Sequence, residues 1–203
     1  KRDTSIILAQ LREIASAVTS AAEAGNLETV LERIAQASRQ LVKAQYAALG
    51  VPDGKGGLLY FKVSGLTAEE HANLRHLPRG KGLIGALMSE RKTIRLEKMQ
   101  SDPRSSGFCD VHPPMTSFLG VPIQIGQQLF GQLYLCDRVD GLPFDEQDEW
   151  LIETIAGYAA VAISGSQLND QQSRLAMLEE RERIGMELHD GVIQSLYAIG
   201  MHL

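Results

Sequence analysis

The sequence is poor in cysteine and in aromatic residues and holds no long apolar run, and each shortage removes a class of protein. Two cysteines, Cys109 and Cys136, among 203 residues are too few for a disulfide framework and fit a reducing cytoplasm. The longest uninterrupted apolar stretch, residues 155–163 with Gly157 inside it, is about half of the ~20 residues that a bilayer-crossing helix needs. The amino terminus carries no signal-like stretch, so no segment is expected to span or target a membrane. Positive charge is in deficit: 20 Lys and Arg against 25 Asp and Glu leave a net charge of −5, which argues against direct contact with nucleic acid. Proline is missing from residue 145 onward, so nothing in that stretch interrupts a helix.

What is present is an ordinary globular composition, 44% apolar and 22% charged, with enough material for a core. At about 150 residues per domain, the length allows one domain and a remainder of roughly a third. The chain opens on Lys1 and not on Met, so a longer parent is expected.

Apolar residues recur at three- and four-residue steps through Thr4–Ala24 and Leu27–Val42, which predicts two amphipathic helices broken at Gly25-Asn26. Tyr46–Val51, Leu58–Val63, Phe118–Ile125 and Gln128–Cys136 are short, apolar and bounded by Gly, Pro or Asp, which predicts four strands joined in two hairpins. Between the hairpins lie a helical stretch, Lys81–Glu90, and an irregular loop over about Lys98–Ser117, where a ligand is expected because long structureless loops are more often functional than idle. Residues 145–203 read as one helix, about 88 Å long at ~1.5 Å per residue. One domain cannot bury such a helix. Leu151, Ile155, Tyr158 and Ala162 form the stripe expected to pack on the domain, whereas Leu175, Leu178, Ile184, Leu188, Val192, Leu196, Ile199 and Leu203 ask for a partner helix, most simply a second copy.

The segment Glu180–Leu196 carries the most chemistry. Leu188, Val192 and Leu196 make an apolar seam, and His189 stands about 100° from Leu188, at the edge of the seam and toward solvent. A neutral imidazole is a nitrogen nucleophile near pH 7, and the adjacent carboxylate of Asp190 can set its tautomer and take a proton. Gln194, one turn on, shares the face of Asp190 and can orient a water. The string resembles the phosphoacceptor box of NarL-partner-class sensor histidine kinases over roughly the last 25 residues. That resemblance implies phosphorylation of His189 by ATP, Asp190 as general base and Gln194 as the residue that helps dephosphorylate a response regulator. It also implies an ATP-binding domain and a second dimerisation helix, neither of which this chain contains, so phosphorylation is expected of the parent and not of this fragment.

Two helices, antiparallel hairpins with helical crossings and an exit helix resemble a GAF domain, an α+β fold, over roughly residues 5–165. The division implied is a GAF sensory domain over residues 1–165, then a signalling helix and the first phosphoacceptor helix over 166–203. Ala47–Val51, Leu77–Gly85, His112–Pro122 and Phe130–Leu135 are similar to the haem-binding first GAF domain of the DevS and DosT gas and redox sensor kinases. The resemblance implies haem b, with His112 of the His-Pro-Pro-Met string as the iron ligand and Tyr134 on the distal side. Alternation along the last strand puts Phe130, Gln132, Tyr134 and Cys136 on one face, bordering the ligand, with Leu129, Leu133 and Leu135 on the other. GAF pockets also take cyclic nucleotides, bilins and other small molecules, so a ligand-binding and dimerisation module without haem is the competing class.

The remaining signals are weaker. Gly80–Gly85 spells a dinucleotide fingerprint without the strand and βαβ unit that would support it. Cys109 and His112 have half of a metal-site spacing and lack a second pair, and Cys109 is two residues too far from His112 for the usual bilin attachment. His71, His76 and His202 have no convergent partners in sequence and are expected at the surface.

Overall fold

The computed structural model describes residues 12, 16, 27–54, 57–67, 81–107 and 113–200, and over 190–200 only the course of the helix. The chain divides into two compact units, Lys1–Ser164 and Gly165–Leu203. The first helix expected from the sequence, Thr4–Ala24, falls almost wholly outside the described residues.

Helix α1, Leu27–Leu41, buries Val30, Leu31, Ile34 and Leu41 along one face, with Glu28 in the first turn and Arg39 in the last, each charge placed to complement the helix dipole. A five-stranded antiparallel sheet follows, built from β1 (Ala44–Pro52), β2 (Leu58–Ser64), β3 (Ile94–Leu96), β4 (Phe118–Ile125) and β5 (Gln128–Arg138) in the order β2-β1-β5-β4-β3. A short helix α2, Gly82–Glu90, crosses between β2 and β3, and helix α3, Glu146–Gly200, follows β5. The architecture is α+β, a sheet flanked by helices, as the periodicities predict. β3 has only three residues and left no alternation long enough to read.

β5 is the central strand, and Phe130–Cys136 are buried without interruption. On the helix side of the sheet Leu49, Leu119, Ile123, Leu133 and Leu135 meet α1 and the Leu151, Ile152, Ile155 and Ile163 face of α3, every one of these side chains at 0–1% exposure. Burial of that order is worth roughly 1.5–3 kcal/mol per side chain, so this layer carries the fold. α3 enters through a capping box: the backbone N–H of Asp148 donates to Asp145 Oδ1 at 2.8 Å, and that of Asp145 donates to Asp148 Oδ2 at 3.2 Å.

Two sequence expectations are corrected here. Tyr158 does not join the buried stripe; it is 46% exposed, and Ile152, Ala156, Ala159, Ala160 and Ile163 fill the face instead, because five further apolar residues turn the buried arc away from position 158. Phe130 does not share the face of Tyr134. Ile123 pairs with Gly131 and Gln124 with Leu129, so Phe130 is the extra residue of a β-bulge, which swings its ring into the helix-side core.

Gly120, on β4, lies under the Phe118 ring: a Cβ there would stand 2.6 Å from Phe118 Cε1 and 3.2 Å from Leu87 Cδ2. Gly120→Ala is therefore expected to cost about 1–3 kcal/mol through overpacking, measured as a lower urea midpoint at unchanged slope.

Candidate functional site

The sheet face opposite α1 is organised in rows set by the strand register. One row runs Phe61, Gly50, Gln132, Pro122; the next runs Val63, Ala48, Tyr134, Gly120, Ile94. Small residues on the strands flanking β5 leave room for the long side chains of β5 to lie along the face. A Cβ on Gly50 would stand 3.4 Å from the Tyr134 hydroxyl. Phe61 and Phe118 flank Tyr134, each with its ring centroid 6.4 Å from the tyrosine ring and tilted against it. Leu83 and Leu87 of α2, Ile94, Met99, Met115 and Cys136 complete the cluster.

Among the described residues, two polar side chains on this face are buried against each other, Gln132 and Tyr134. Gln132 is fully buried, and its Oε1 accepts the Tyr134 hydroxyl, while Nε2 has no partner among the described residues. Burial pushes the Tyr134 hydroxyl well above the ordinary tyrosine range, so it stays a neutral donor or acceptor. The Cys136 thiol is likewise pushed up, by burial and then by the charge of Asp137, and is an unreactive neutral group at pH 7.

The loop after β3 is tied down around this cluster. Met99 N donates to Thr116 O at 2.7 Å, and Gln100 Nε2 donates to Met115 O. Asp137, at φ 49° just past the buried part of β5, accepts from Thr116 N at 3.0 Å and from Ser117 N at 2.7 Å. Arg104 forks between Asp102 and Glu90, at 2.8 Å to each, and ties the loop to the end of α2. The Arg104 hydrogen bonds hold the Asp102 carboxyl at about 2, below its ordinary 3.8. A carboxylate whose folded value is depressed stabilises the fold above the unfolded value, and that contribution is lost as pH falls through about 2. An NMR titration of the Asp102 carboxyl carbon is expected to show a midpoint near 2; a midpoint at the ordinary value would mean that Arg104 does not hold it in solution.

The neighbouring residue, Arg138, ties β5 to α3. Its Nη1 donates to Asp148 Oδ2 at 2.6 Å and its Nη2 to Asp140 Oδ2 at 2.5 Å, with Asp148 fully buried. At the other edge of the sheet Arg95 Nε meets Glu149 Oε2 at 2.6 Å and the Thr93 hydroxyl meets Glu153 Oε1 at 2.6 Å.

His189 is exposed on α3. Arg183 pairs with Glu180 and Glu187, both at 2.6 Å, across the turns that precede it. Leu175, Leu178, Ile184 and Leu188 are 44–66% exposed on the same helix. Asp190 and Gln194 lie in α3, their side chains outside the described residues.

His112 and Cys109 are outside the described residues as well, so the iron ligand implied by the haem resemblance is not placed. On the described side of the sheet, the Phe61 and Phe118 rings and the apolar side chains of the cluster surround the buried Tyr134–Gln132 pair. Among the described residues no three His, Cys, Asp or Glu side chains gather as a metal site, and no helix is long and apolar enough to cross a membrane. An open groove of ≈ 580 Å³ lined by Pro52, Met88, Arg91 and Leu129, among others, shares none of its lining with the Tyr134 cluster. Sequence reasoning put Gln132 on the ligand face without a role, and missed Asp137 and Arg138. A glutamine at an inward position between Gly131 and Leu133 breaks the apolar pattern of a buried strand, which was the available signal.

Residues 24–164 match the family described as GAF domain, and residues 180–203 match the family described as Histidine kinase. Over 87 residues, 43% of the chain, there is 33% identity to Sensor histidine kinase YhcY of Bacillus subtilis (strain 168), 23% of which is covered. Over 174 residues, 80% of the chain, there is 25% identity to Probable 3',5'-cyclic phosphodiesterase pde-5 of Caenorhabditis elegans, again with 23% of that protein covered. The chain thus spans 23% of the length of each of these two curated relatives. The GAF domain of a phosphoenolpyruvate-protein phosphotransferase from Coxiella burnetii superposes with a TM-score of 0.70 at 23% identity, covering 83% of this chain and 99% of that one. Free methionine-R-sulfoxide reductase from Neisseria meningitidis, in complex with its substrate, gives 0.65 at 17% identity, covering 83% and 95%. At these identities the likeness to solved structures is one of fold.

Proposed function

The chain belongs to the GAF-domain family and carries a histidine-kinase region over residues 180–203, and from that premise we propose that it is the sensory and dimerisation portion of a two-component sensor histidine kinase. The observation that carries the reading is an exposed imidazole, His189, on a helix inside the histidine-kinase match. In this reading His189 Nε2 or Nδ1 attacks the γ-phosphorus of ATP held by a domain outside this chain, the bond from that phosphorus to the β–γ bridging oxygen breaks and ADP leaves, Asp190 accepts the ring proton, and the phosphoryl group then passes to a response regulator in the cytoplasm. Gln194 orients the water that later removes it. The exposed Leu175, Leu178, Ile184 and Leu188 support a homodimer, since a second copy of the helix covers them.

The GAF domain supplies the input, a small ligand, gas or redox change felt on the Tyr134 face. Haem b is the cofactor proposed; His112 would supply the iron ligand and Tyr134 would border the bound group. The likeness to a cyclic phosphodiesterase supports an alternative, a GAF module that binds a cyclic nucleotide, a bilin or another small molecule without haem.

Two measurements test these readings. A chain extended to include the second dimerisation helix and a nucleotide-binding domain is expected to take up acid-labile phosphate from ATP; its absence would leave only a binding module. Hemin added to the purified protein is expected to give a Soret band that His112→Ala removes. Tight cyclic-nucleotide binding with no such band would favour the alternative.

A further inference from the structure

We propose that Gln132, acting with Tyr134, is the ligand-reading residue of the GAF domain, and that the ligand therefore presents an acceptor oxygen to this pair. The inference rests on the reading of the Tyr134 face as the ligand face. An amide at zero exposure with an unpaired nitrogen is expensive in a strand otherwise filled by Leu, Tyr and Phe, because the unmade hydrogen bond forfeits its solvation. A side chain of similar volume, leucine, would fill the position without that cost. The amide is placed for something that arrives later.

The donor does not depend on which way the amide is turned. With the Tyr134 hydroxyl donating to Oε1, both N–H bonds of Nε2 are free; with the amide turned over, Nε2 donates to the tyrosine oxygen and the phenolic O–H becomes free. Either arrangement directs at least one N–H or O–H at a third group. Tyr134 is neutral and Gln132 uncharged, and Phe61, Phe118, Leu83 and Leu87 make the surroundings apolar. Among the described residues neither a cation nor an anion finds a counter-charge here. What fits is an uncharged acceptor oxygen, such as the carbonyl of a small ligand or of a nucleobase, or the terminal oxygen of a diatomic on haem iron. Phe130 has no part in it, since the β-bulge turns its ring to the opposite core.

Stability and binding should move in opposite directions. Gln132→Leu is expected to raise the urea midpoint of the ligand-free protein or leave it unchanged, and to weaken binding by about tenfold or more. Two probes separate the sources of the oxygen. With hemin reduced under carbon monoxide, Gln132→Leu is expected to raise the C–O stretching frequency by removing a donor from the bound oxygen. With cyclic GMP, titration calorimetry is expected to show the loss as a larger Kd. A Gln132→Leu protein that is clearly less stable without ligand would show that the amide is satisfied within the fold and would overturn the proposal. So would binding of whichever probe the wild type accepts, unchanged by the substitution. Failure of the wild type to bind either probe would overturn the ligand-face reading itself, and this inference with it.

Discussion

Replacing His189 by glutamine in a chain that also carries its nucleotide-binding domain is expected to abolish acid-labile phosphorylation, leaving no signal above background. Glutamine keeps a polar, helix-compatible side chain of similar length, but its amide nitrogen has no free lone pair with which to form an N–P bond. The imidazole is exposed and sits in none of the buried clusters, so the substitution should leave the thermal midpoint where it is. Asp190→Asn should behave differently, keeping the nucleophile while slowing the transfer by about 10²–10⁴-fold, the usual worth of a positioned base. Phosphate uptake by the glutamine variant, read as label that is lost in acid and kept in base, would place the phosphoacceptor elsewhere.

Arg138→Met is expected to destabilise the GAF domain by about 3 kcal/mol, the low end of the range for breaking a buried ion pair. Arg138 is 9% exposed and Asp148 0%, so removing the guanidinium strands a carboxylate away from water. The loss stays at the low end because Asp148 keeps the backbone N–H of Asp145 through the capping box. Arg138→Lys should recover only part of the loss, since one ammonium cannot fork between Asp140 and Asp148. The double variant Arg138→Met, Asp148→Leu should regain more than the lysine, because no buried charge is left unpaired. Urea unfolding followed by circular dichroism checks all three. A loss below about 1 kcal/mol would mean that water screens the pair, as at an ordinary surface bridge.

The pair is one of several ties made at this end of β5. Three contacts fall on one strand end: Tyr134 packs in the apolar cluster with Phe118 and Leu87, Asp137 holds the Thr116-Ser117 loop, and Arg138 holds the first turn of α3. A shift of this strand end would therefore move the Thr116-Ser117 loop and the first turn of α3 together.

Element types were legible because periodicity is local. The Leu27–Leu41 helix, the four longer strands and the helix after Pro143 all show in steps of two or of three and four, and His189 with its neighbours can be read as a string on one helix. The two hairpin pairings were legible from their turns, but the strand order across the sheet and the register of the pairs were not. Alternation carried Phe130 onto the Tyr134 face, and only the pairing of Gln124 with Leu129 reveals the extra residue that moves it away. The unpaired amide of Gln132 likewise follows from Gly50 and Pro122 standing opposite it on neighbouring strands. Asp137 and Arg138 looked like the polar end of a strand until the loop and α3 came to meet them. The sequence by itself determined the elements, the acidic, cysteine-poor character and the reactive string. The tertiary structure decided which side chains meet, because register, bulges and burial are set by contacts between segments far apart along the chain, and no local pattern records them.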